Sequence, residues 1–241
     1  MGLVTATLAA HGQIGALLAE VLADLRARRP GAEVQVLDCA GGSGSLAVPL
    51  AVDGARVTVV DTSVNALATL ARRAAEAGVP NRVQAVQGEL ENLDAYVGAR
   101  GYDLVMLHDV LTLVDDPGGL VASAAGAARP DGVVSIRVAN AAAAVYARAT
   151  AADHAGAEAA LESVRAGTSV AAQVIGWAAD AGLTVERVSG LGAISGWVGL
   201  ADGSWAHPPR DSLAALDRAA AELAPFRDVA PALHVLARCG G

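Results

Sequence analysis

With 241 residues the chain suits one α/β domain of ordinary size, or one domain with a small appendage. Hydrophobic residues make up 54% of it and aromatics only 3%, so a core has to be built from Ala, Val and Leu; all 17 basic residues are arginine, as GC-rich codon usage would produce. A net charge of −8 argues against a broad basic face for sequence-independent nucleic-acid binding and leaves only a local Arg cluster open.

In chain order, Ile14, Leu17, Leu18, Val21, Leu22 and Leu25 recur at helical spacing, which predicts an amphipathic helix over Gln13 to Arg29 ended by Pro30-Gly31. Strands are expected at Val34–Leu37, Arg56–Val60, Arg82–Val86, Tyr102–Leu107 and Val133–Val138. Between them fall helices from Gly44 to Val52, from an N-cap at Ser63 to Ala77, and from the Asp116-Pro117 cap through Ala128, with Arg129-Pro-Asp-Gly132 as a turn. Strands alternating with helices predict βαβ units and a mostly parallel sheet. Asn140 to Gly167 is Ala-rich and helical without a strand; then come a helix at Ser169–Asp180, a strand at Leu183–Val188, a helix at Ser212–Leu223 and a strand at Ala232–Ala237. Residues 140–167 and 190–211 are candidate lids. Cys39 and Cys239 do not suggest a disulfide scaffold, and no apolar run reaches the ~20 residues that span a bilayer. Residues 1–10 lack the pattern of a signal peptide, so a cytoplasmic protein is expected.

The stretch Val36-Leu-Asp-Cys-Ala-Gly-Gly-Ser-Gly44 joins a strand to a helix through small residues. Gly42-x-Gly44-x-x-Ala47, with Asp61 at the end of the next strand, fits a dinucleotide motif. Asp38 is awkward beside a pyrophosphate, however, and an acid there suits the cationic part of S-adenosylmethionine. Free N–H groups after Gly44 would serve anionic or polar oxygens, and Asp61 would accept the ribose hydroxyls of either cofactor.

Asp38 to Gly44 resembles the first motif of class I S-adenosylmethionine-dependent methyltransferases. "VVDTS", "QGELENL", "YDLVMLHDVLTLVDDP" and "AARPDGVVSI" resemble the later motifs of that family in order and spacing, over residues 34–138. One departure is Ala40, where the first glycine of the loop is usual. The resemblance implies a Rossmann-like, doubly wound α/β fold with a mostly parallel seven-stranded sheet whose last strand is antiparallel. With no internal repeat and no clear linker, a single domain is expected: a helical cover over residues 1–33, a cofactor-binding core over 34–138, and substrate lids over 139–168 and 190–211. S-adenosylmethionine would be held by Asp38, Ala40, Gly42, Gly44, Asp61, Thr62, Glu89 (reaching the adenine amino group), Leu90 and His108. No metal is implied. A narrower resemblance, carried by "HDVL", Asn140 and "LHVLARC", is to bacterial methyltransferases that esterify a carboxylate of a modified wobble uridine in tRNA; their Arg-Tyr pair before the final strand corresponds here to Pro231 and Ala232.

Methyl transfer from a sulfonium needs mostly alignment, worth about 7–11 kcal/mol, and a base only when the acceptor is a hydroxyl. His108 is either a general base or substrate contact, or a neutral histidine packed beside the cofactor; Asn140 either meets substrate or caps the next helix. Asp109 is read as a turn cap, His234 and Trp177 as core, and His11 as solvent-exposed. Arg148, Arg165, Asp153, His154, Trp197, Trp205 and His207 are further candidates for contact with a substrate. The expected partner is a small-molecule hydroxyl or carboxylate, with tRNA next and no membrane; a nicotinamide-dependent oxidoreductase and a non-catalytic S-adenosylmethionine-binding protein are the rival readings.

Overall fold

The computed structural model describes residues 8–197 and 210–240. The expected lid at 190–211 is thus described only to residue 197 and from residue 210, and Trp205 and His207 lie outside the described residues.

A helix, α1 (Gly12–Arg28), precedes β1 (Gln35–Cys39), α2 (Ala47–Val52), β2 (Arg56–Asp61), α3 (Val64–Glu76) and β3 (Val83–Gln87). The one-turn helix α4 (Leu93–Tyr96) leads to β4 (Tyr102–His108), α5 (Pro117–Ala127) and β5 (Ala128–Ala139). Two consecutive helices, α6 (Ala141–Thr150) and α7 (His154–Ala166), fill the Ala-rich stretch; α8 (Val170–Asp180), β6 (Leu183–Leu191), α9 (Arg210–Ala220) and β7 (Ala232–Cys239) complete the order. The seven strands form one sheet, β3-β2-β1-β4-β5-β7-β6, in which β7 runs antiparallel to both its neighbours and the other described pairings are parallel.

A parallel strand buried on both faces has to be apolar at nearly every position, as "VLDC", "VTVV" and "LVML" are. Side chains of alternate parity then feed two cores. On one face Val36, Val57, Val59, Leu104, Met106 and Val133 pack under α1, α2 and α3 through Leu18, Leu22, Leu50 and Leu70. On the other, Leu37, Val105, Leu107, Val134 and Ile136 pack under α5 and α8 through Leu120, Val121 and Val174. Trp177 joins this second core, its indole edge against Gly118, as expected.

Two local expectations are corrected. The chain does not become helical at Gly44: residues 42–46 are turns and α2 begins at Ala47. The expected turn at Arg129–Gly132 lies inside β5, where the register against β4 slips and Asp131 takes a φ of +61°. Arg129 and Arg29 both clasp the buried carboxylate of Asp103, which holds this irregular stretch on the sheet.

Candidate functional site

The carboxyl ends of β1, β2 and β4 meet along one edge of the sheet, where folds of this type place ligands. After β1 the backbone passes through Ala40 (φ +57°), Gly42 (+55°) and Gly44 (+77°), which folds the loop back over the strand end. A Cβ on Gly41 would stand 2.4 Å from Asp38 Oδ2, and one on Gly44 2.2 Å from Leu70 Cδ1, so the close approach needs glycine at both places. Ala40 adopts the same left-handed conformation with a side chain, at a cost of about 1–2 kcal/mol. That is a physical reason for the glycine usual at this place. The Arg73 guanidinium, on α3, donates to the Ser43 carbonyl at 3.1 Å and to its Oγ at 3.3 Å, tying the loop down. Sequence reasoning missed Arg73, which only the spacing of α3 over the loop reveals.

Asp61 spans the mouth of this loop. Its Oδ2 accepts the Gly42 N–H at 2.9 Å and its Oδ1 the Ser63 N–H at 2.8 Å, while Ser63 Oγ caps α3 by accepting from the Ala66 N–H. Each carboxylate oxygen keeps a lone pair for a further donor. Asp38 lies beneath the loop and is buried. Burial, and then the charge of Asp61, push its pKa up to about 7, with no donor among the described residues pulling it down. Thr62 and Glu89 are exposed, and Leu90 is buried at the start of the turn after β3. Asp38, Ala40, Gly42, Gly44 and Asp61 are therefore gathered round one loop, and Thr62 continues from the end of β2.

The other half of the same edge is built from β4, β5, β7 and β6. His108 Nε2 and His234 Nε2 each lie 2.8 Å from Ser135 Oγ, and the two rings meet edge-on with centroids 6.1 Å apart. Burial first, then His234 and Arg137, lower the His108 pKa to about 3; burial, Arg187 and Arg137 lower that of His234 to about 4. Both are neutral at physiological pH, and a group that holds its proton only below pH 3 is poorly matched to general-base work at pH 7. His234 is core, as expected, yet only its Nε2 is satisfied: Nδ1 of each ring is buried without a partner among the described residues.

Asn140 is architectural. Its Oδ1 accepts the Ala142 N–H at the start of α6, and its Nδ2 donates both its protons, to the carbonyls of Asp228 and Ala230 at 3.0 and 2.9 Å. Of its two expected roles, the structure shows the cap of the next helix. Asp109 does not cap a turn; it takes a φ of +58° and pairs with Arg137 at 2.7 Å. His11 is half-buried at the start of α1, rather than fully exposed. Asp153 caps α7 and pairs with Arg148, His154 is exposed, and Arg165 lies 3.9 Å from Glu162. The Trp197 indole N–H donates to the Val229 carbonyl, and its ring stands edge-on to Tyr146 at 6.0 Å. Among the described residues there is no cluster of three metal-ligating side chains, and no helix is long and apolar enough to cross a membrane.

The acid beneath the loop bears on what the loop can hold. A pyrophosphate would set negative charge over a buried, proton-seeking carboxyl, whereas a cationic ligand would stabilise its ionised form. The donor set thus fits a sulfonium- and ammonium-bearing nucleoside better than a dinucleotide.

Residues 36–132 match the family model described as "Methyltransferase domain". The ubiquinone biosynthesis O-methyltransferase of Sodalis glossinidius is 32% identical over 162 residues, covering 65% of this chain and 62% of that protein. The tRNA 5-carboxymethoxyuridine methyltransferase of Escherichia coli K12 is 32% identical over 110 residues, 45% of this chain and 41% of its own length. This chain thus spans less than two thirds of either relative. The fold is shared with magnesium protoporphyrin IX methyltransferase from Synechocystis PCC 6803 with bound S-adenosylhomocysteine, at a TM-score of 0.57 and 17% identity over 93% of this chain and 83% of that one. The chain thus matches a methyltransferase domain over residues 36–132 and shares the fold of a solved methyltransferase.

Proposed function

We propose that the protein binds S-adenosylmethionine at the loop after β1 and transfers its methyl group to an oxygen of a small molecule, a hydroxyl or a carboxylate. The observation that carries this reading is the pair of acids about one glycine loop, Asp38 buried beneath it and Asp61 across its mouth. The bound cofactor supplies a methyl group already activated by a positive sulfur. The chain supplies position and charge. Asp61 would take the ribose hydroxyls on lone pairs that its two backbone donors leave free. Asp38 would favour the cationic methionine end, with Ala40, Gly42 and Gly44 shaping the backbone that lies against it. Thr62, Glu89 and Leu90 would flank the ribose and base, and His108 would stand at the β4 end where the acceptor enters. The relatives' names, an O-methyltransferase of ubiquinone biosynthesis and a tRNA carboxymethoxyuridine methyltransferase, support an oxygen acceptor. The net charge of −8 favours the small molecule over tRNA.

Calorimetric titration with S-adenosylhomocysteine, with NAD as control, tests the reading. Micromolar binding of the thioether, no binding of NAD, and a loss of about 2–3 kcal/mol (roughly a hundredfold in Kd) in Asp61→Ala are expected. Binding of NAD in place of the thioether would return the loop to the oxidoreductases.

A further inference from the structure

We propose that Ser135 and His234 are positioning residues that fix the tautomer of His108, so that the ring nitrogen His108 offers at the end of β4 is an N–H donor and not a base. This adds to the methyltransferase reading but is tested without it.

Ser135 Oγ lies 2.8 Å from Nε2 of both imidazoles, and its hydroxyl proton has no other acceptor among the described residues. Two neutral rings can meet one hydroxyl with its own proton also hydrogen-bonded only if one ring donates to it and the other accepts from it, because two donating rings would leave that buried proton without an acceptor. The histidines therefore hold opposite tautomers: the ring with Nε2–H leaves Nδ1 bare, and the other carries Nδ1–H. Changing one changes both.

The surroundings choose the direction. The sheet register sets Arg137 opposite both His108 and His234, and Ser189 opposite His234, with Arg187 two residues before Ser189 on the same strand. The buried side-chain polar atoms without a partner among the described residues are all in this row: His108 Nδ1, Arg137 Nε, Arg187 Nε, Ser189 Oγ and His234 Nδ1. The two arginine nitrogens are donors on cations; by register Arg137 adjoins both rings, whereas Arg187 stands on β6, whose strand partner β7 carries His234 and not His108. A lone pair is favoured where positive charge is greatest. His234 thus keeps Nδ1 bare and donates from Nε2 to Ser135, Ser135 donates to Nε2 of His108, and the remaining proton of His108 sits on Nδ1.

Long-range proton–nitrogen correlation spectra of the full chain with 15N-labelled histidine, recorded from pH 5 to 8, read each tautomer directly. The expected spectra show His108 with Nδ1–H, His234 with Nε2–H, and neither ring titrating. His234→Gln keeps a side-chain N–H for Ser135 and should leave His108 unchanged. His234→Glu presents an acceptor between two guanidiniums, turns the Ser135 hydroxyl round, and should switch His108 to Nε2–H. With Ser135→Ala added, that switch should vanish; Ser135→Thr, which keeps the hydroxyl, should restore it and serves if the alanine variant fails to fold. His108 found with Nε2–H in the native protein, or unmoved by His234→Glu, would overturn the relay. Thioether titration of the native protein runs alongside: its failure would remove the methyltransferase reading and leave the tautomer result standing.

Discussion

The two halves of the sheet edge solve opposite problems of charge. From β2 to β1 the edge is acidic: Asp38 and Asp61 stand about a loop whose only side-chain cation contact among the described residues is Arg73, on the loop's own backbone and Ser43 hydroxyl. From β4 to β6 it is rich in donors, with two neutral imidazoles beside two guanidiniums whose Nε atoms are buried and unmet among the described residues. The first half would gain from a cation, the second from oxygens with free lone pairs. One mostly parallel sheet thus sets an acidic stretch of edge beside a donor-lined one, about the width of one strand away.

The largest break in this comparison comes at Asp38. Its folded pKa of about 7 lies above the ordinary 3.8, so the folded state holds a proton that the unfolded chain has already released. Stability from this group is present below about pH 4, is lost as pH rises towards 7, and stays lost above it. Asp38→Asn should abolish that loss. At pH 8 it should unfold with about 2–4 kcal/mol more stability than the native protein, by urea titration, while binding S-adenosylhomocysteine more weakly. A native stability that rises between pH 4 and 7, with no gain in the variant, would contradict the buried proton-seeking acid.

Gly44→Ala attacks the loop itself. The new methyl meets the fully buried Leu70 and carries a φ of +77°, so a loss of about 2–3 kcal/mol is expected in thermal unfolding. In the other half, Asn140→Ala strands two carbonyls and removes a cap, which should cost about 2 kcal/mol. Its effect on thioether affinity should be negligible; a large one would return Asn140 to the chemistry. Smallest is Ala40→Gly, which relieves left-handed strain and should raise stability by less than about 1 kcal/mol, since glycine also loosens the unfolded chain.

How legible each half was follows from the same contrast. The acidic half depends on neighbours in sequence: Asp38 sits on the strand that the glycines end, and Ser63 two residues after Asp61 shows its capping role by type. The strands there are also continuous apolar runs, readable without knowing their partners. The donor half depends on residues brought together from far apart. Ser135 reaches His234 across 99 positions, and nothing local in "VVSIRV" says that a histidine lies opposite. A serine and an arginine sharing the parity of one apolar strand was the available signal, but its meaning needs β7 placed between β5 and β6. Asn140 was undecidable in sequence because its cap is local while its two carbonyl partners lie 88 and 90 residues on.

The position of β7 also bears on how the molecule is made. β6 has β7 as its strand neighbour and lies at the sheet's edge, so residues 183–191 find no ladder until 232–239 have left the ribosome. The strands β1 to β5 can close in the order in which they are synthesised, whereas β6 must wait with an open edge beside a finished half-sheet. During translation, then, the donor-lined half is the last to exist, and a stall before residue 232 would leave a nascent chain with the glycine loop in place and an unpaired strand edge exposed to neighbours.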